Sequence, residues 1–168
     1  MKRFLIVIAM LLCVSVSAQN NPKPFVIPEL TSWTGAEGNF TPSGRVAVKG
    51  SDKELQRIAA AFVADYKLLT GRDLTVVKGS GKAGDIVLQL DKKATSLGNE
   101  GYQLKVGEQA VVTANTLKGA FWATRTLLQL GEQSDNGSMP KGEAIDIPQY
   151  ELRGFMIDCG RKFFPMDY

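Results

Sequence analysis

The side chains best suited to chemistry stand in the last eighteen residues, ELRGFMIDCGRKFFPMDY, positions 151–168. A short apolar run (Phe155, Met156, Ile157) reaches a carboxylate at Asp158. A guanidinium follows at Arg161, then two aromatics at Phe163 and Phe164. A continuous hydrophobic run with polar groups where it emerges is the pattern of a buried parallel strand. In barrel enzymes the residues at the carboxyl end of such a strand face the active site. Cys159, inside this strand end, reads as a small buried hydrophobe rather than a reactive thiol.

Composition excludes more than it offers. The chain has no histidine, which removes a zinc-protease helix, a Ser-His-Asp triad and a Cys-His dyad, because each needs an imidazole. No Walker loop occurs and no GxGxxG follows a strand. Neither a metal nor a cofactor is therefore expected. The first eighteen residues read as a secretory signal: Lys2 and Arg3 form a positive n-region, an apolar stretch follows, and Val16-Ser17-Ala18 supplies a cleavage site. The apolar stretch is too short for a comfortable membrane span. Cleavage after Ala18 leaves 168 − 18 = 150 residues, with 20 − 2 = 18 basic groups against 17 acidic ones. That balance exerts no pull on nucleic acid or anionic lipid. The expectation is an exported protein, periplasmic or secreted, with no membrane insertion once the signal is removed. Only Cys159 survives cleavage, so packing alone must hold the domain.

The elements that must position the terminal segment follow in order. Residues 19–44 are polar and turn-rich, with prolines at 22, 24, 28 and 42; within them 25–28 reads as an edge or docking segment. Residues 45–48 alternate as a short strand. Ser51-Asp52-Lys53-Glu54 reads as a capping box, followed by Leu55, Ile58, Ala59, Phe62, Tyr66 and Leu69 at helical spacing and a closing Gly71. Short strands are expected at 74–77 and 85–90. Residues 102–106 and 110–114 form a hairpin. Thr116 opens a second helix with Leu117, Ala120, Phe121, Thr124, Leu127 and Leu128 as its stripe and Gly131 as its end; Arg125 and Gln129 lie off the stripe's centre. A glycine-rich loop (131–142) leads to a strand at 144–147, and Pro148 marks a junction. The fold class expected is α+β: a mostly antiparallel sheet, one face apolar and one partly wet, with two helices on one face.

An ordered set of short motifs carries a resemblance. Gly98-Asn99-Glu100-Gly101-Tyr102-Gln103-Leu104, then Lys118-Gly119-Ala120-Phe121-Trp122-Ala123 with Thr126-Leu127-Leu128-Gln129-Leu130, then Ile145-Asp146-Ile147-Pro148, then Arg153-Gly154-Phe155-Met156-Ile157-Asp158 with Arg161 and Phe163 resemble family 20 glycoside hydrolases, the β-N-acetylhexosaminidases. After the signal peptide (1–18), the resemblance implies an N-terminal non-catalytic hexosaminidase domain with a zincin-like fold (19–150) and the first strand of a truncated (β/α)8 barrel (151–168). Arg161 matches the arginine that binds hydroxyls of the terminal N-acetylhexosamine, a task suited to a planar group with several fixed donors. Asp158 matches an acidic position expected to support Arg161 or the barrel mouth. Lys162 stands where the family usually has histidine, and Leu152 where an aromatic is common.

No catalytic residue is expected in this chain. The family's Asp-Glu pair lies on a later barrel strand, and a barrel takes roughly 250 residues. Glu54 belongs to a cap, Asp91 and Glu100 to sheet loops, and Asp146 to a junction. The resemblance implies an N-terminal fragment of a glycosidase acting on N-acetylhexosamine-containing glycans, itself inactive. Two alternatives are another glycosidase with a similar N-terminal domain, such as family 84, and a stand-alone carbohydrate-binding or structural module.

Overall fold

A computed structural model of the chain describes residues 19–154, Met156 and Gly160. The expected signal peptide and the strand around Asp158 and Arg161 lie outside the described residues.

The elements run β1 (Ser32–Phe40), β2 (Arg45–Lys49), α1 (Lys53–Thr70), β3 (Thr75–Lys78), β4 (Ile86–Leu90), a 3-10 turn (Thr95–Leu97), β5 (Tyr102–Val106), β6 (Ala110–Ala114), α2 (Leu117–Glu132) and β7 (Met139–Asp146). The strands form one seven-stranded sheet in the order β1-β7-β5-β6-β4-β2-β3. It is mixed rather than mostly antiparallel. The β2–β3, β2–β4 and β4–β6 pairs are parallel, whereas β5–β6, β5–β7 and β1–β7 are antiparallel. The parallel pairs arise where a helix or long connection carries the chain back before the next strand, the only way to join parallel neighbours.

Both helices cover the apolar face. Val46, Val48, Ile86, Leu88, Leu104 and Val112 alternate inward to meet Leu55, Phe62, Tyr66 and Leu127 in one core. The opposite face is polar and bonded across strands: Gln89 donates to Thr113 Oγ1 at 2.8 Å, and Gln103 donates to Glu143 Oε1 at 2.5 Å. Such pairs let one side of a sheet face water without leaving groups unsatisfied.

Several local expectations change. The cap of α1 is Asp52, not Ser51: its carboxylate accepts from Glu54 N (2.9 Å) and Leu55 N (3.0 Å), and an anion suits the positive end of the helix dipole. Gly71 does close that helix, at φ 69°. Gly131 does not close α2, which continues through Glu132. It lies instead against Tyr66, where an added Cβ would come within 2.7 Å of Cε2. Strand β1 lies within the stretch expected to be turn-rich, and β7 starts at Met139, inside the expected loop. Within the stripes, Leu69 and Phe121 face outward. The docking segment rides on α2: Gln129 accepts from Ile27 N at 2.8 Å and donates to Ile27 O at 2.9 Å, as a neighbouring strand would.

Candidate functional site

The polypeptide leaves the sheet at a corner shared by four elements. At that corner β7 ends and β5 begins (Asp146 opposite Tyr102), β6 ends (Ala114 opposite Tyr102), and α2 starts at its cap Thr116. The loop 98–101 fills it. Thr116 Oγ1 donates both to Asn99 O (2.5 Å) and, as cap, accepts from Gly119 N (3.2 Å); Asn115 Nδ2 donates to Gly98 O at 3.3 Å. A side chain at Gly119 would collide with the Gly101 carbonyl, and one at Gly101 with the Leu97 carbonyl. Two of the motifs behind the family resemblance are thus glycines that let a loop sit on a helix start.

This braced loop presents Glu100 outward. Arg153, on the segment after the junction, donates from Nη2 to Glu100 Oε2 at 2.5 Å and from Nη1 to the Tyr150 carbonyl. Its guanidinium carbon sits 5.8 Å from the Trp122 ring centroid, within cation–π range. The contact continues along the outer face of α2. Phe121 meets Trp122 edge-on at 5.2 Å, Arg125 lies 4.8 Å over Phe121, and Arg125 Nη1 donates to Asp65 Oδ2 at 2.6 Å. Arg125 Nη2 is buried without a partner among the described residues.

Behind Arg153, a cleft of about 160 Å³ reaches Tyr102, Trp122, Thr126 and Gln129. That is below the ~300 Å³ of ordinary small-molecule sites. Tyr102 and Thr126 share a buried hydrogen bond of 2.6 Å. Burial pushes the Tyr102 phenol well above the ordinary tyrosine range, against the opposing pull of that bond. A broader groove of about 520 Å³ runs between the 97–101 loop, Lys118 and residues 147–151.

The carboxylates considered from sequence are each engaged by local structure. Glu54 pairs with Arg57, Asp91 accepts from Lys93 N, Glu100 holds Arg153, and Asp146 accepts from Thr31 N and Oγ1. Asp85, fully buried, accepts from Ser43, from Arg45 twice and from Lys82 N. Burial works to raise its pKa, but those donors outweigh it and hold the carboxyl below its usual value. No group of three His, Cys, Asp or Glu among the described residues could hold a metal ion. No described helix is long and apolar enough to cross a membrane. What this corner can do is bind and orient polypeptide. The two residues expected to serve the sugar, Arg161 and Asp158, lie outside the described residues. The Glu100–Arg153–Trp122 contact escaped sequence reasoning, although all three stand in quoted motifs, because a pairing across 53 positions leaves no local pattern.

A mixed sheet backed by two helices defines an α+β domain. The model of glycosyl hydrolase family 20, domain 2, matches residues 23–147. The chain belongs to that family. A β-hexosaminidase from Porphyromonas gingivalis is 26% identical over 151 residues, covering 84% of this chain and 19% of that protein. The β subunit of Sus scrofa β-hexosaminidase is 41% identical over 68 residues, covering 39% and 13%. Among solved structures, the β-N-acetylhexosaminidase of Streptomyces coelicolor superposes with TM-score 0.72 at 28% identity, covering 89% of this chain and 32% of that one. The Streptomyces plicatus enzyme, solved with its product GlcNAc, gives 0.68 at 29%, covering 89% and 31%. The chain spans about a fifth of the P. gingivalis relative's length.

Proposed function

We propose that this chain is the N-terminal part of an exported β-N-acetylhexosaminidase that removes terminal non-reducing N-acetylhexosamine (GlcNAc or GalNAc) from glycans. The observation that carries the proposal is the domain 2 match across residues 23–147, among relatives that are β-hexosaminidases. Export is supported by the n-region, apolar stretch and small-residue cleavage site of residues 1–18. Residues 19–150 act as a non-catalytic support, and residues 151–168 begin the catalytic barrel.

The mechanism that goes with this reading is substrate-assisted and retaining, a departure from the usual two-carboxylate scheme. A glutamate protonates the leaving oxygen. The substrate's own acetamido carbonyl attacks the anomeric carbon, and an aspartate orients it. Water then opens the cyclic intermediate on the same face. That Asp-Glu pair would follow residue 168, so the 168-residue chain is itself silent. Its contribution to the site is Arg161, donating to sugar hydroxyls, with Asp158 holding the guanidinium in place.

Sequencing the locus beyond codon 168 and assaying the whole product on a chromogenic GlcNAc glycoside tests this. Hydrolysis by the whole product, none by the 168-residue chain, and release of the first eighteen residues on export are expected. An inactive whole product, or activity in the 168-residue chain, would overturn the reading.

A further inference from the structure

Three motifs distant in sequence meet at one corner: the 98–102 loop, the Phe121-Trp122 pair and Arg153. The loop is the rigid partner. It is bonded to α2 through Asn115 and Thr116 and pressed against Gly119. Arg153 is the gripping side chain. Its neighbours Tyr150, Leu152 and Met156 stand mostly exposed, the last two above 90%, while its guanidinium takes an ion pair, a backbone carbonyl and an aromatic face together. A planar fork can satisfy all three at once; an ammonium cannot. Among residues 149–154, Arg153 supplies the side-chain hydrogen bonds and the ion pair that reach the domain.

We propose that Glu100, Trp122 and Arg153 form a clamp that fixes where the chain leaves this domain and thereby sets the position of Arg161, the sugar ligand eight residues further on (161 − 153). Arg153 is then a positioning residue, acting on substrate through the segment that follows it. The proposal rests on the hexosaminidase reading for its catalytic half only. A misplacement of ~1 Å in a positioned group costs on the order of a hundredfold in rate, so slack at the anchor is expected to cost activity.

The test uses the whole product of the locus and the 168-residue chain in parallel. In the whole protein, Arg153→Ala and Glu100→Gln are each expected to lower kcat/KM by about ten- to hundredfold, mainly through KM. The double variant should lose no more than the worse single one, because both break one clamp. Arg153→Lys should fall between wild type and Arg153→Ala. In the 168-residue chain, Arg153→Ala should leave the melting temperature nearly unchanged, shift Trp122 emission, and raise amide exchange in residues 147–156 but not in α2 or β5. Values of kcat/KM within twofold of wild type, additive losses, or losses that track a fall in melting temperature would overturn the proposal. If the wild-type whole protein is inactive, the role assigned to Arg161 falls with the hexosaminidase reading. Exchange in the 168-residue chain still decides the clamp, and unchanged exchange in 147–156 would end it.

Discussion

Replacing Gly131 by alanine puts the helix-packing argument at risk most directly. Ordinary helix chemistry says the change should stabilise, since glycine costs ~1 kcal/mol relative to alanine inside a helix. The gain is smaller here because Gly131 is the penultimate residue of α2, where the helix frays. Against it stands the geometry of the α1–α2 contact. A Cβ on Gly131 would lie 2.7 Å from Tyr66 Cε2 and 3.3 Å from both Cζ and the hydroxyl oxygen. Tyr66 is fully buried, and its hydroxyl is already against Gly137, so the ring has nowhere to retreat. Overpacking of this kind costs ~1–3 kcal/mol, and subtracting a reduced propensity gain of ~0.5 kcal/mol leaves a net loss of about 0.5–2.5 kcal/mol. At ~2–4 °C per kcal/mol for a chain of this size, thermal unfolding of Gly131→Ala should move down by roughly 1–10 °C. Gly131→Asn separates this account from a capping role. Asparagine tolerates the left-handed conformation of a cap but is bulkier than alanine, so it should rank below Gly131→Ala. Trimming the ring with Tyr66→Leu should make the Gly131→Ala penalty less than additive. A melting temperature at or above wild type for Gly131→Ala, or an asparagine variant more stable than the alanine one, would refute the close approach.

Other perturbations carry their own outcomes. Asp85 has a native pKa held below its unfolded value, so its stabilisation is present above the ordinary aspartate value of ~3.9 and is lost as pH falls through the native one. Urea midpoints should fall on acidification below about pH 4, and Asp85→Asn should flatten that slope. Tyr66 and Tyr102 are shifted the other way by burial. Stability is full below the ordinary tyrosine value of ~10 and declines as pH rises past it, and absorbance at the phenolate band should show these two ionising only as the chain unfolds. Tyr102→Phe leaves the buried Thr126 hydroxyl without its 2.6 Å partner and should cost about 1–2 kcal/mol in thermal melts. Gln129→Ala removes both bonds to Ile27; amide exchange at Ile27 should rise sharply with little change in global stability, and persistent protection there would show that other contacts dock the segment.

What was legible from sequence was whatever repeats within one element. Leu55, Ala59, Phe62 and Tyr66 mark a helix face by their spacing and all four are buried. Tyr102, Leu104 and Val106 alternate and are buried on one face of β5. What failed depends on partners. SWTGAEGNF carries two glycines and an outward-facing pattern, and becomes β1 because β7 pairs with it, with a register shift between Gly35 and Asn39. A strand's identity there comes from its neighbour rather than from its own residues. Gly131 reads as a helix end for the same reason: the ring that requires glycine belongs to another helix.

The direction of the strands is the point at which topology and the exit corner become one question. The 102–114 hairpin invites an antiparallel reading of the whole sheet, but each helix lies between two strands, β2-α1-β3 and β6-α2-β7. A helix that returns along the sheet brings the chain back to the end where the preceding strand began, so the next strand runs the same way. Accordingly β3 is parallel to β2, and β7 shares the direction of β6, both being antiparallel to β5 between them. This decides where the polypeptide emerges. Running with β6, strand β7 ends where β6 ends, beside the start of α2 and the loop that carries Glu100. Had β7 run the other way, the chain would leave at the far edge of the sheet, some five residues or ~17 Å away along β5, and Arg153 would have neither Glu100 nor Trp122 to meet. The crossover through α2 is therefore what brings the outgoing segment to the corner where a braced carboxylate and an exposed indole stand ready to hold it.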